Sequence, residues 1–161
     1  MIELQDMVER FARNWEIIQL QTKGLSHAQC LLQPPFRGNC MNWVLGHIVD
    51  TRNSLLLALG EKPILTEEES ARYRHGSEPV LADGKDVIPL ERLLSLLQHS
   101  QERVNVALPR LTPDDLARKV KDHRGETTFG NRIFFLYYHE TYHTGQTELL
   151  RQLAGTDDKI I

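Results

Sequence analysis

The chain has 161 residues, 40% of them hydrophobic and 25% charged, with 19 Lys and Arg set against 22 Asp and Glu for a formal charge of -3. This is the composition of a globular protein large enough to bury its own core, read as a single domain over 1–161. The scattered basic residues exclude a nucleic-acid field, no apolar run approaches the ~20 residues of a membrane span, and two cysteines are too few for a disulfide framework.

Met1 to Asp6 lack the basic-then-apolar order of a secretory signal, so a cytoplasmic location is expected. From Ile2 to about Thr22, Leu4, Met7, Val8, Phe11, Trp15, Ile18 and Leu20 keep helical spacing, and Gly24 ends the helix. A loop through Pro34, Pro35 and Gly38 follows, with a short turn expected at Ser26 to Leu31. Cys40 precedes the next helix start, where a buried filler is the expected role. Asn42 is placed as the cap of a second helix that Gly60 closes. A long polar crossover runs from Gly60 to Pro89, with one short helix expected from Thr66 to Tyr73 and room to cover one end of a cavity. The third helix spans about Leu90 to Leu108 with Leu93, Leu94, Leu97, Val104 and Leu108 inward. Thr112 to Leu116 reads as one capped turn with Pro113 at its first position. Lys119 to Gly130 fits a hairpin or a plain loop, and a last helix runs from Ile133 to Ala154. The expected class is all-α: a four-helix bundle with a long crossover between the second and third helices.

The last helix carries the chemistry. His139 and His143 are one turn apart, roughly 40° around the axis, and two imidazoles so spaced can grip one metal ion. The bland alternative is a pair of histidines satisfied by ordinary partners, and a third ligand would decide between them. His27, His75, His99 and His123 stand in polar stretches and are expected to face water. His47, between Gly46 and Ile48, is expected to point inward.

Asn42-Trp43-Val44-Leu45-Gly46-His47-Ile48, followed about ninety residues later by His139-x-x-x-His143-Thr144-Gly145-Gln146, resembles the DinB/YfiT-like superfamily of metal-dependent enzymes. The resemblance spans nearly the whole chain. It implies a four-helix bundle, usually dimeric, with a divalent metal on His47, His139 and His143. Zinc is the first choice, with nickel or iron as alternatives. Characterised relatives are bacillithiol S-transferases and mycothiol-dependent maleylpyruvate isomerases, so a transferase acting on a small molecule with a low-molecular-weight thiol is the expected function. Iron-dependent sulfoxide synthases with a related domain carry Glu where Gly145 stands, which removes that branch.

Two other classes compete. His139-Glu140-Thr141-Tyr142-His143 fits H-E-x-x-H, the zinc-peptidase pattern, yet Gln146 and Leu149 occupy the positions of the metzincin Gly and His. A metal-free helical module is the other. Three imidazoles with an open position serve hydrolysis as readily as thiol transfer, so a metal-dependent hydrolase stays open. Glu140, roughly 100° from His139, is a candidate general base. Gln146 is expected to orient His143 or a bound water, and Asp50 to accept a ring N–H or meet an arginine. The last helix is apolar almost all round between Ile133 and Tyr142, which points to a homodimer with that helix or its neighbour near the interface.

Overall fold

The structure is a computed structural model that describes residues 3–122, 125–156 and 158. It is mostly helical. Four long helices, α1 (Leu4–Thr22), α3 (Met41–Ala58), α5 (Leu90–Ala107) and α7 (Phe129–Leu153), pack so that α1 and α3 each lie against both α5 and α7. The short helices α2 (His27–Cys30), α4 (Glu67–Tyr73) and α6 (Pro113–Ala117) lie in the connections. An antiparallel two-strand ribbon, β1 (Lys119–Asp122) with β2 (Gly125–Thr128), leads into α7. No helix among the described residues is long and apolar enough to cross a membrane.

Local chemistry sets most element ends. Ser26 with Gln29, Thr66 with Glu69 and Thr112 with Asp115 form capping boxes at α2, α4 and α6. Thr128 caps α7 on the Asn131 N–H, and the helix begins at Phe129, four residues before the expected start, so Gly130 lies inside it. The expected cap at Asn42 is also displaced. Cys40 stands at the N-cap of α3, and Asn42, fully buried, spends its amide on the crossover by donating to the Ile88 carbonyl. Cys40 is a buried filler whose thiol donates to the Val80 carbonyl.

The core falls into two apolar halves. Ile18, Val49, Leu97 and Leu150 belong to one; Phe11, Leu55, Val104 and Leu136 belong to the other. Chain order therefore gives the directions: α1 and α7 run one way, α3 and α5 the other. Parallel neighbours cannot be joined by a tight turn, which is why residues 60–89 must travel back along the length of the protein.

Between the halves lies a polar layer with one contribution from each long helix. The guanidinium of Arg52 forms a buried ion pair with Glu140, donates to Gln101 Oε1 at 2.8 Å and reaches the Phe11 carbonyl at 3.0 Å. Asn14 donates to Glu140 Oε1 at 3.2 Å. Every member is satisfied, the condition under which a buried charge is tolerated.

The helix buried on nearly every side is α3, which α4 and the crossover cover on its outer face. On α7, by contrast, Phe134, Tyr138, Tyr142 and Leu149 are 46–60% exposed. The uniform apolar character of Ile133 to Tyr142 did not translate into burial within the chain.

Candidate metal centre

α3 and α7 lie side by side, and this brings His47 to His139 and His143. The Nε2 atoms of His47 and His139 are 3.3 Å apart, those of His143 and His139 3.2 Å, and the three ligating atoms all lie within 4.8 Å of one another. Nitrogens bound at about 2.0–2.1 Å in a tetrahedral shell are separated by roughly 3.3 Å. Two of the three separations already have that value.

The remaining ring nitrogens fix the tautomers. His47 Nδ1 donates to the Tyr73 carbonyl at 2.7 Å, an atom that can only accept. His143 Nδ1 donates to Gln146 Oε1 at 2.8 Å. His139 Nδ1 is 3.4 Å from Thr51 Oγ1. With their protons on Nδ1, His47 and His143 turn bare lone pairs towards His139, whose single proton can satisfy only one of them. A cation at the common point removes that conflict.

Burial lowers the pKa of all three rings. His143 falls to about 4; His139 also falls to about 4, with the neighbouring His143 and His47 adding to burial. His47 is lowered by burial despite its bond to Tyr73. The trio is therefore neutral at neutral pH and can coordinate without releasing protons.

Sequence patterning alone did not reveal what holds His47. Trp43, one turn earlier, stacks on its ring at 4.8 Å. Tyr73, the last residue of α4, lies against Gly46, where an added Cβ would sit 2.1 Å from the tyrosine ring. A glycine inside a helix signals a close approach of this kind, although not its partner. The Tyr73 hydroxyl donates to Asn42 Oδ1 at 3.0 Å and accepts the Ile88 N–H at 2.8 Å.

The histidines open into a cleft of about 830 Å³. Asp50 and Thr51 of α3, Arg74 and His75 after α4, and Arg132, Phe135 and Tyr142 of α7 line it. Asp50 takes neither of its expected partners: it accepts from Ser70 Oγ, and burial raises its pKa. Glu140 departs furthest from expectation. Its carboxylate is fully buried, held by Arg52 and Asn14 on the side of α7 away from the cleft lining, so it is not a base for this site.

Of the histidines expected to face water, His99 does, and His75 is exposed but lines the cleft. His27 is engaged: its Nδ1 accepts the Leu90 N–H and its Nε2 meets Asp83 at 3.3 Å. His123 lies outside the described residues.

A crystal structure of a conserved protein from Enterococcus faecalis has a similar fold, with a TM-score of 0.75 over 97% of this chain and 100% of that one, at 15% identity. No curated protein matches the chain. The family model that does match, described as the DinB superfamily, covers residues 10–147, from the first long helix to beyond His143. That match takes in most of the chain, and the chain belongs to the DinB superfamily.

Proposed function

We propose that this chain is a metal-dependent enzyme of the thiol S-transferase type, with His47, His139 and His143 holding one divalent ion. The observation that carries the reading is the convergence of three neutral imidazoles, two pairs at 3.2 and 3.3 Å, on one point beside an open cleft. The scaffold is a single four-helix bundle formed by α1, α3, α5 and α7. Zinc suits three nitrogens with an open position best; nickel or iron would also be accepted. Such an ion supplies an acidified sulfur or oxygen nucleophile at neutral pH.

The chain's own groups do the rest. Tyr73 and Gln146 fix the tautomers of His47 and His143, leaving their Nε2 atoms free to bind. Phe135, Leu136 and Tyr142 give the substrate an apolar wall. In transfer the thiol loses its proton, with His75 and Asp50 the cleft groups available to take it. A carbon–sulfur bond then forms on the small-molecule electrophile as its leaving group departs.

A peptidase reading fails on Glu140, which the H-E-x-x-H mechanism requires beside the metal and which here is sealed against Arg52. We place the protein in the cytoplasm as a homodimer, with the exposed Phe134, Tyr138 and Leu149 of α7 covered by a second copy.

Elemental analysis of protein purified without a nickel column should find about one ion per chain. The His47→Ala and His143→Ala proteins should retain almost none. Wild-type protein that is folded yet takes up neither zinc nor cobalt would rule the reading out. In the cobalt-loaded protein, 2-mercaptoethanol should bring up a sulfur-to-cobalt charge-transfer band; its absence would remove the thiol half alone.

A further inference from the structure

His75 lines the cleft beside the three candidate ligands, yet it is exposed, and among the described residues its ring makes no hydrogen bond. Exposed loop residues are ordinarily mobile. This one is carried by a turn fastened at both ends to the part of α3 that holds His47. Two residues before it, the Tyr73 carbonyl accepts from His47 Nδ1 at 2.7 Å and the Tyr73 ring lies against Gly46. Two residues after it, Ser77 Oγ accepts from Trp43 Nε1 at 3.0 Å, and Trp43 stacks on the His47 ring. Between these anchors the Ser77 N–H donates to the Arg74 carbonyl at 3.0 Å. Gly76 has a φ of +84°, the left-handed value that a type II turn needs at its third residue, which leaves His75 as the second.

The position is within reach of the site. Two residues of extended chain span roughly 7 Å at most, so the His75 backbone stays that close to the residue touching His47. Electrostatics agree: burial is the main cause lowering the three candidate ligands, and His75 is a further cause for each of them. The other charged groups of the cleft are engaged. Asp50 on α3 accepts from Ser70 Oγ, Arg74 pairs with Glu67, and Arg132 on α7 has an interaction of its own. Arginine, moreover, has no acceptor for a proton. An imidazole that faces the cleft and is open to water can take a proton from one side and release it to the other.

We propose, resting on the metal and thiol reading above, that His75 is a catalytic residue that takes the proton of the incoming nucleophile and passes it to solvent. The S–H bond of the thiol breaks, its electron pair stays on sulfur, and the proton goes to a ring nitrogen of His75 directly or through one water. The carbon–sulfur bond then forms as the leaving group departs with its own electron pair, and His75 gives its proton to bulk water.

Stopped-flow mixing of the cobalt-loaded protein with 2-mercaptoethanol near neutral pH reads this step without turnover. That thiol is protonated in solution, so the sulfur-to-cobalt band grows only as the proton is lost. His75→Gln, at matched cobalt content and thermal transition, should reach the same final band roughly tenfold or more slowly. 2,6-Lutidine, a base too hindered to ligate the ion, should restore much of the rate in the variant and add little in the wild type. A variant as fast as the wild type would overturn the proposal. So would slow growth that lutidine leaves unchanged, since His75 would then shape the cleft without carrying a proton. No band in the wild type is instead the failure of the thiol reading. Hydrolysis of 4-nitrophenyl acetate by the zinc-loaded protein then reads the same base against water, and an equal rate in His75→Gln, or no hydrolysis at all, would overturn it there.

Discussion

Gly46→Ala sets the packing around His47 against the ordinary behaviour of a helix. Alanine is the better helix former by about 1 kcal/mol, so in open surroundings the change stabilises. At position 46 the new carbon would stand 2.1, 2.3 and 2.5 Å from three atoms of the Tyr73 ring. Carbon atoms pack at roughly 3.5–4.0 Å, so the ring would have to retreat by about 1.5 Å. It has nowhere to go, because its hydroxyl is fixed by Asn42 and Ile88 and its carbonyl by His47. Overpacking costs about 1–3 kcal/mol and each disturbed buried hydrogen bond about as much again, so the propensity gain is outweighed and a net loss on the order of 2–4 kcal/mol is expected. Zinc affinity should fall about 10–100-fold with it, as the Tyr73 carbonyl no longer steers His47. Urea unfolding of the metal-free proteins reads the first effect and competition with a chromophoric chelator the second. Gly145→Ala serves as the contrast, since a Cβ there meets nothing within 4 Å of its own chain. An unchanged unfolding midpoint and zinc affinity for Gly46→Ala would refute the claim that the Tyr73–Gly46 contact holds the site.

Arg52→Met should destabilise the protein by about 3–5 kcal/mol because it strands the Glu140 carboxylate in the core, while Arg52→Met combined with Glu140→Leu should recover most of the loss. If urea unfolding shows the two changes simply adding, the buried pair is not coupled as described. If the proposed homodimer forms through the exposed face of α7, Tyr138→Glu should turn it into a monomer by light scattering at micromolar concentration without lowering metal content. A wild type that already runs as a monomer would discard the dimer.

What the sequence disclosed and what it withheld divide along a physical line. The 3.6-residue period places His139 and His143 on one stripe whatever surrounds them, so the pair could be read directly. The same period set Glu140 about 100° away, correctly, but could not say what that face meets. It meets Arg52 and Asn14, which are 88 and 126 residues away in the chain. The support of His47 was hidden for the same reason: it arrives from Tyr73, 26 residues on, at the end of a helix whose capping box was readable but whose docking site was not. The near-complete burial of α3 was hidden likewise, because apolar content records what a helix can cover and not which neighbour covers it. The crossover went to α3.

The H-E-x-x-H spacing gains its meaning from α3. His47 and Arg52 lie five residues apart on that helix, about 140° around its axis, and they meet successive residues of α7. His47 takes His139 on the cleft side, while Arg52 takes Glu140 on the core side. In a peptidase the glutamate must remain by the metal; here a buried guanidinium draws it into the core, while the histidines beside it keep the open face. One short stretch thus joins the helices through a charge and presents two histidines of the candidate metal site, and Arg52, outside the motif, is what keeps the glutamate away from them. Removing that arginine costs the fold too much to release the glutamate as a free base, so Arg52→Met should not create peptidase activity even where some folded protein survives.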